Sequence, residues 1–148
     1  MSGQIIGFNI TKIEAEKKET YSKPSINTNI EFINVEKEQI DIIKDLEVVK
    51  INFKFSISYT EKEEKKESEK KESGKINLEG SLLLSLEKEK AKQIQKEWKK
   101  KSLTDEFRIP LLNIIIKKCT TKALVLQEDL NLLPHIPIPH VKTTQNSN

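Results

Sequence analysis

The sequence predicts an α+β fold, a four-stranded antiparallel sheet with long helices packed on one face. Three observations carry this. In one stretch Val49, Ile51, Phe53, Phe55, Ile57 and Tyr59 alternate with Lys50, Asn52, Lys54, Ser56 and Ser58; in a second, Ile76, Leu78, Leu82, Leu84 and Leu86 share a face with Gly80, opposite Asn77, Glu79, Ser81 and Ser85. Side chains in a strand change face at every residue, so these are antiparallel strands with one apolar and one solvated face. The apolar face must be covered, and a lysine-rich amphipathic stretch followed by a strongly apolar one, together running from about 87 to 130, has the length and polarity to cover it.

Before the long hairpin, Phe8 and Ile10 lie on one parity and Ile13 and Ala15 on the other, which predicts a first strand with a bulge near Thr11 or Lys12. Residues 21–24 read as a turn. A second strand begins near Ser25 with Ile26, Thr28, Ile30 and Phe32 on one face, and its parity shifts again at Ile33 and Val35. Residues 36–45 carry Ile40, Ile42 and Ile43 among charges and read as a loop crossing the sheet or an irregular strand extension. Residues 61–73 hold eleven charged residues and two serines, and read as a solvated hairpin loop because so charged a tract has little apolar surface to bury.

After Leu86 the pattern turns helical. Ala91, Ile94 and Trp98 fall on one stripe among lysines and glutamates. Thr104 and Asp105 form a cap or turn, and Pro110 fits the first turn of a second helix, where its missing N–H is not needed. That helix presents Leu111, Leu112, Ile114, Ile115, Ile116, Cys119, Ala123 and Leu124, a band broad enough to pack on the sheet and on another chain. The proline-rich segment 133–141 is extended and not helical, and residues 143–148 are a polar tail.

With 148 residues the chain is expected to form one domain, residues 1–148. Only 35% of residues are hydrophobic and 33% are charged, so the core is thin and self-association is expected to complete the burial. The charge of +3 is small against 26 basic and 23 acidic side chains, which makes the surface mixed in sign. Lysine and glutamate at this density match the composition of heat-adapted proteins, a thermophile bias that an AT-rich genome would also produce. The single Cys119 excludes an intrachain disulfide, and the opening residues lack a basic and then apolar leader, so a cytoplasmic location is expected. No apolar run is long enough to cross a bilayer.

The residues that would carry catalysis or cofactor binding are missing from their usual patterns. His135 and His140, with Cys119 distant, do not make a zinc set; the four glycines are isolated, so no phosphate loop exists. Cys119 sits in an apolar band, where an inert buried thiol is expected. Neither a catalytic site, a metal nor a cofactor is expected. The lysines between 88 and 101 are interrupted by Glu87, Glu89 and Glu97, and the sole arginine, Arg108, leaves almost no bidentate base readout, so nucleic acid is not the expected partner.

In the order of its parts the chain resembles the SecB-like proteins, the group of the bacterial preprotein export chaperone and its diverged relatives. The resemblance spans Phe8 to Val141: four antiparallel strands, a crossover after the second, a long hairpin and a helix after the fourth. Ile109-Pro110-Leu111-Leu112-Asn113-Ile114 looks like the hydrophobic-proline opening of the family's main helix, and the segment from Leu130 to Val141 resembles the leucine and proline segment that leaves it. The resemblance implies a homotetramer, a dimer of dimers, that holds non-native polypeptides without ATP.

On this reading the chain is an ATP-independent holdase for extended apolar segments of unfolded or pre-translocation polypeptides. The alternatives are a dedicated interaction module, such as a chaperone of one antitoxin, or a structural oligomer without clients. A client site should combine irregular or edge backbone with exposed apolar residues, which points to Phe32, Ile33, Val35, Ile40, Ile42 and Ile43. Ile94 and Trp98 are the expected oligomer interface.

Overall fold

The computed structural model describes residues 3–19, 23–38, 45–63 and 66–143, with only the backbone at 62–63 and 66–70. Strands β1 (Gln4–Lys17), β2 (Ser25–Glu38), β3 (Leu46–Glu63) and β4 (Lys66–Glu87) precede helices α1 (Lys88–Lys99) and α2 (Asp105–Asp129). All neighbouring strands are antiparallel, in the order β1-β4-β3-β2, so the two long hairpin strands are central and β1 and β2 are the edges.

The period-two pattern of β3 and β4 places Ile51, Phe53, Phe55, Ile57, Leu78 and Leu82 on one face, all buried under the helices. The bulge predicted near Thr11 is present, and the second parity shift also marks a slip of register. The register against β4 slips between Ile10 and Lys12, and that of β2 against β3 slips between Phe32 and Asn34. Three further slips, between Ile5 and Gly7 in β1 and after Tyr59 and Lys62 in β3, were not foreseen.

Residues 61–63 and 66–73 are a correction. They are not a loop: Glu61 pairs with Lys71 and Lys62 with Lys70, so the hairpin continues past the ends of both edge strands as a two-stranded ribbon. Ladder hydrogen bonds need only backbone groups, and the register is set by the core hairpin below, so charged side chains do not prevent pairing.

Helix α1 buries Ala91 and Ile94 and half-buries Trp98, the predicted stripe. Ile94 is fully buried within one chain, against the sheet, while Trp98 at the end of the same stripe keeps part of its surface exposed. The helix ends in a Schellman motif, with Lys101 left-handed at φ 56, Lys101 N–H donating to Trp98 O (2.7 Å) and Ser102 N–H to Glu97 O (3.4 Å). The reversal lets the Glu97 carboxylate accept the Thr104 N–H at 2.7 Å, which caps α2 from a neighbouring helix; the Thr104 side chain makes no capping bond.

Helix α2 starts earlier than Pro110 predicts. Asp105 is its first residue, Phe107 is fully buried in its first turn, and Pro110 lies inside. Its buried residues are Phe107, Leu111, Ile115, Cys119, Ala123 and Gln127, one in every four. At 3.6 residues per turn a four-residue step turns the buried stripe by about 40°, so it winds around the helix as α2 crosses the sheet. That winding accounts for Leu111, Ile115, Cys119 and Ala123 of the broad apolar band, while Leu112, Ile114 and Leu124 are half-buried and Ile109, Ile116 and Val125 stay exposed.

Candidate peptide-binding groove

α1 lies across β2, β3 and β4 and α2 packs on β4, and the apolar face of β2 is left half covered: Ile26, Ile30 and Phe32 pack on the core without being sealed by it. Between β2 and the near flank of α2 lies an open cavity of about 460 Å³, walled by Ile30, Leu112, Ile116 and Ile136 with Phe55 beside them. A second, of about 650 Å³, is lined by Phe32 and Trp98 with Lys101, Leu103 and Arg108. Thr28 to Ile30 line the first and Glu31 and Phe32 the second, while α2 contributes Leu112, Ile116 and Thr120 to one and Asp105 and Arg108 to the other. The two therefore adjoin along β2 and α2, the second being walled also by Trp98 of α1 and by Lys101 to Leu103 of the turn between the helices. From Asp105 to Thr120 the helical rise gives a trough about 22 Å long, the span of six or seven extended residues.

Residues after α2 close one end. Asn131, left-handed at φ 54, ends the helix in a second Schellman motif, with Leu132 N–H donating to Gln127 O at 2.8 Å and Asn131 N–H to Glu128 O at 3.2 Å. The proline-rich segment then lies back over the sheet. It is fastened by a polar network among apolar neighbours: the Tyr59 hydroxyl donates to Leu133 O, and the Gln127 amide donates to the Tyr59 oxygen at 2.8 Å. The same amide nitrogen lies 3.2 Å from His135 Nδ1, the Thr120 hydroxyl lies 3.5 Å from its Nε2, and the ring stands edge-on to Phe55 with centroids 5.9 Å apart. Burial raises the Tyr59 phenol above its ordinary value, so it stays a neutral donor.

Burial also lowers the His135 imidazole below its ordinary value of 6.5. The Gln127 amide presents Nε2 at 3.2 Å and Oε1 at 3.4 Å to Nδ1, so it can pair with either tautomer, and it is burial that penalises the charged ring. A group held neutral in the folded state contributes stability that is present above its unfolded value and is lost as pH falls through the lower folded one. We expect the melting temperature to drop between pH 7.5 and pH 5 by more in the wild type than in His135→Gln, which lacks the titrating ring; equal drops would show that the ring does not couple to folding.

The predicted site residues fall in different places. Phe32 lines the second cavity, whereas Ile33, the bulge residue, is exposed, and Val35 is buried at 7% exposure in the core. Ile40, Ile42 and Ile43 lie outside the described residues. Trp98, expected at an oligomer interface, lines the trough. Reasoning from local pattern did not pick out Thr28, Ile30, Leu112, Ile116 or His135; the signal available was the surplus of apolar residues in α2 followed directly by a proline-rich segment.

The trough holds few groups able to do covalent chemistry. Its charged residues are Glu31, Lys101, Asp105 and Arg108, and Arg108 is paired with Asp105 at 2.7 Å. Cys119 is fully buried in the core, where desolvation pushes its thiol up to about 11, far from a reactive thiolate. Among the described residues no group of three or more His, Cys, Asp or Glu is placed to hold a metal ion, and no helix is long and apolar enough to cross a membrane.

No family model matches this chain, and no curated protein matches it in sequence. Among solved structures the chain is similar to a SecB-like chaperone of Mycobacterium tuberculosis in complex with a ChAD peptide from the HigA1 antitoxin, with a TM-score of 0.47, 13% sequence identity and an alignment covering 96% of this chain and 93% of that one.

Proposed function

We propose that this protein is an ATP-independent chaperone that holds extended apolar segments of non-native polypeptides in the trough between β2 and α2, acting in the cytoplasm as a homo-oligomer. The observation that carries the reading is the apolar wall of Leu112, Ile116 and Ile136 facing a half-covered strand in a solvent-open channel. Exposed apolar surface costs free energy in water, and a channel long enough for six or seven residues fits a chain segment better than a compact ligand. Ile116 is 44% exposed, so a charge there disturbs binding more than folding.

Ile116→Asp is expected to weaken binding of an apolar peptide at least tenfold, about 1.4 kcal/mol, and to reduce protection of unrelated aggregating proteins, with the melting temperature shifting by no more than about 2 °C. Undiminished protection by the folded variant would place client binding elsewhere. Protection of one copurifying partner, and of no unrelated client, would establish the dedicated module instead.

A further inference from the structure

We propose that the trough takes its occupant as an added strand on the free edge of β2, which makes the ligand class an extended segment with apolar residues at alternate positions. This rests on the polypeptide-binding reading and specifies its geometry. Three successive residues, Thr28, Asn29 and Ile30, line one cavity, and the next two, Glu31 and Phe32, line the other. Side chains of successive strand residues point to opposite faces, so a wall built from five in a row is the strand's edge itself, with its outward N–H and C=O groups.

The two edges of the sheet are guarded differently. β1 carries Lys12, Glu14, Glu16 and Lys17, and Lys12 and Glu14 make ion pairs with Glu79 and Lys75. Such charges keep foreign strands off an edge. Residues 25–30 of β2 read Ser-Ile-Asn-Thr-Asn-Ile, contain no charge and no proline, and pair with β3 without a slip, whereas the uncharged run of β1, residues 4–11, is broken by slips of register after Ile5 and after Ile10. Regular pairing geometry on β2 ends at the bulge after Phe32, which sets the docking run at Ser25 to Phe32.

A chain lying along this run would turn every second side chain toward Leu112, Ile116 and Phe55 and the others to solvent or to the polar sheet face. Main-chain bonds would supply affinity without regard to sequence, and the α2 wall would demand apolar residues with period two.

The test uses three labelled ten-residue peptides of alternating leucine and threonine, read by fluorescence anisotropy against the full chain. One is unmodified; the others are N-methylated at the leucines or at the threonines. An added strand points only every second N–H at β2, so one methylated peptide is expected to bind within about threefold of the parent and the other at least thirtyfold more weakly.

Equal affinity of the two methylated peptides would overturn strand addition while leaving the trough as a binding site. Failure of all three to bind would overturn strand addition and the polypeptide-binding reading together. Sedimentation showing that the parent peptide binds only as a dimer of the protein dissociates would make a second copy the natural occupant of the edge, and would also overturn the proposal.

Discussion

Phe55→Ala is expected to lower the free energy of unfolding by about 3 to 5 kcal/mol, the range for removing a fully buried phenylalanine from a packed core. Phe55 has no exposed surface and sits where three parts of the molecule meet. On the sheet it pairs with Ile30 of β2 and Leu78 of β4; from above, His135 stands against its edge at 5.9 Å. Its ring also borders the trough. Truncation would therefore open a void continuous with the channel and loosen the seat of the proline-rich segment. Urea unfolding followed by circular dichroism should show a lower midpoint with an unchanged slope. A loss under about 1.5 kcal/mol would mean that the surroundings collapse into the void, and that the wall of the trough is softer than its packing indicates.

How much of this molecule was legible in the sequence depends on the distance over which each feature is written. Period-two alternation in β3 and β4 is local, and both strands are where it places them. Parity breaks at Thr11 and Ile33 are local too, and each marks a true slip of register. The stripe of α1 repeats within three turns and was readable. The start of α2 was misread because Pro110 looks like a first-turn residue, while the cap that fixes the true start is Glu97, on another helix. Residues 61–63 and 66–73 were misread because charge speaks against burial and not against strand pairing, and their pairing is inherited from the hairpin they extend.

The trough was hardest to read for the same reason. Thr28 to Phe32, Phe55, Leu112 to Thr120 and His135 come from four separate parts of the chain and are joined only by the position of α2 over the sheet. Reasoning about edge backbone and exposed apolar side chains pointed to the end of β2. It named Phe32, which lines the second cavity, and then Ile33, Val35 and residues 40–43 beyond the parity break, whereas the described β2 residues that line the cavities are Thr28 to Phe32.

Gly80→Ala is expected to destabilise the protein at or above the upper end of the about 1 to 3 kcal/mol typical of overpacked sites, although it adds a single methyl group. Gly80 lies on the apolar face of β4 opposite Ile10, next to the slip that lets Thr11 bulge from β1. A β-carbon there would collide with the Asn9 carbonyl oxygen and come within 2.9 Å of Phe53 Cζ. The oxygen belongs to backbone held in the β1–β4 ladder, and the Phe53 ring is stacked on Phe8 with centroids 5.4 Å apart. Neither neighbour can give way cheaply, so relief requires β1 to move off β4. Gly7→Ala is the matched control: the nearest atom to its new β-carbon is a Leu83 side-chain carbon at 3.3 Å, which a rotamer change can withdraw. Hydrogen exchange should locate the damage, with amides of β1 losing protection in Gly80→Ala and keeping it in Gly7→Ala. Equal and small effects of the two substitutions would show that β1 lies farther from β4 at the bulge than the register requires.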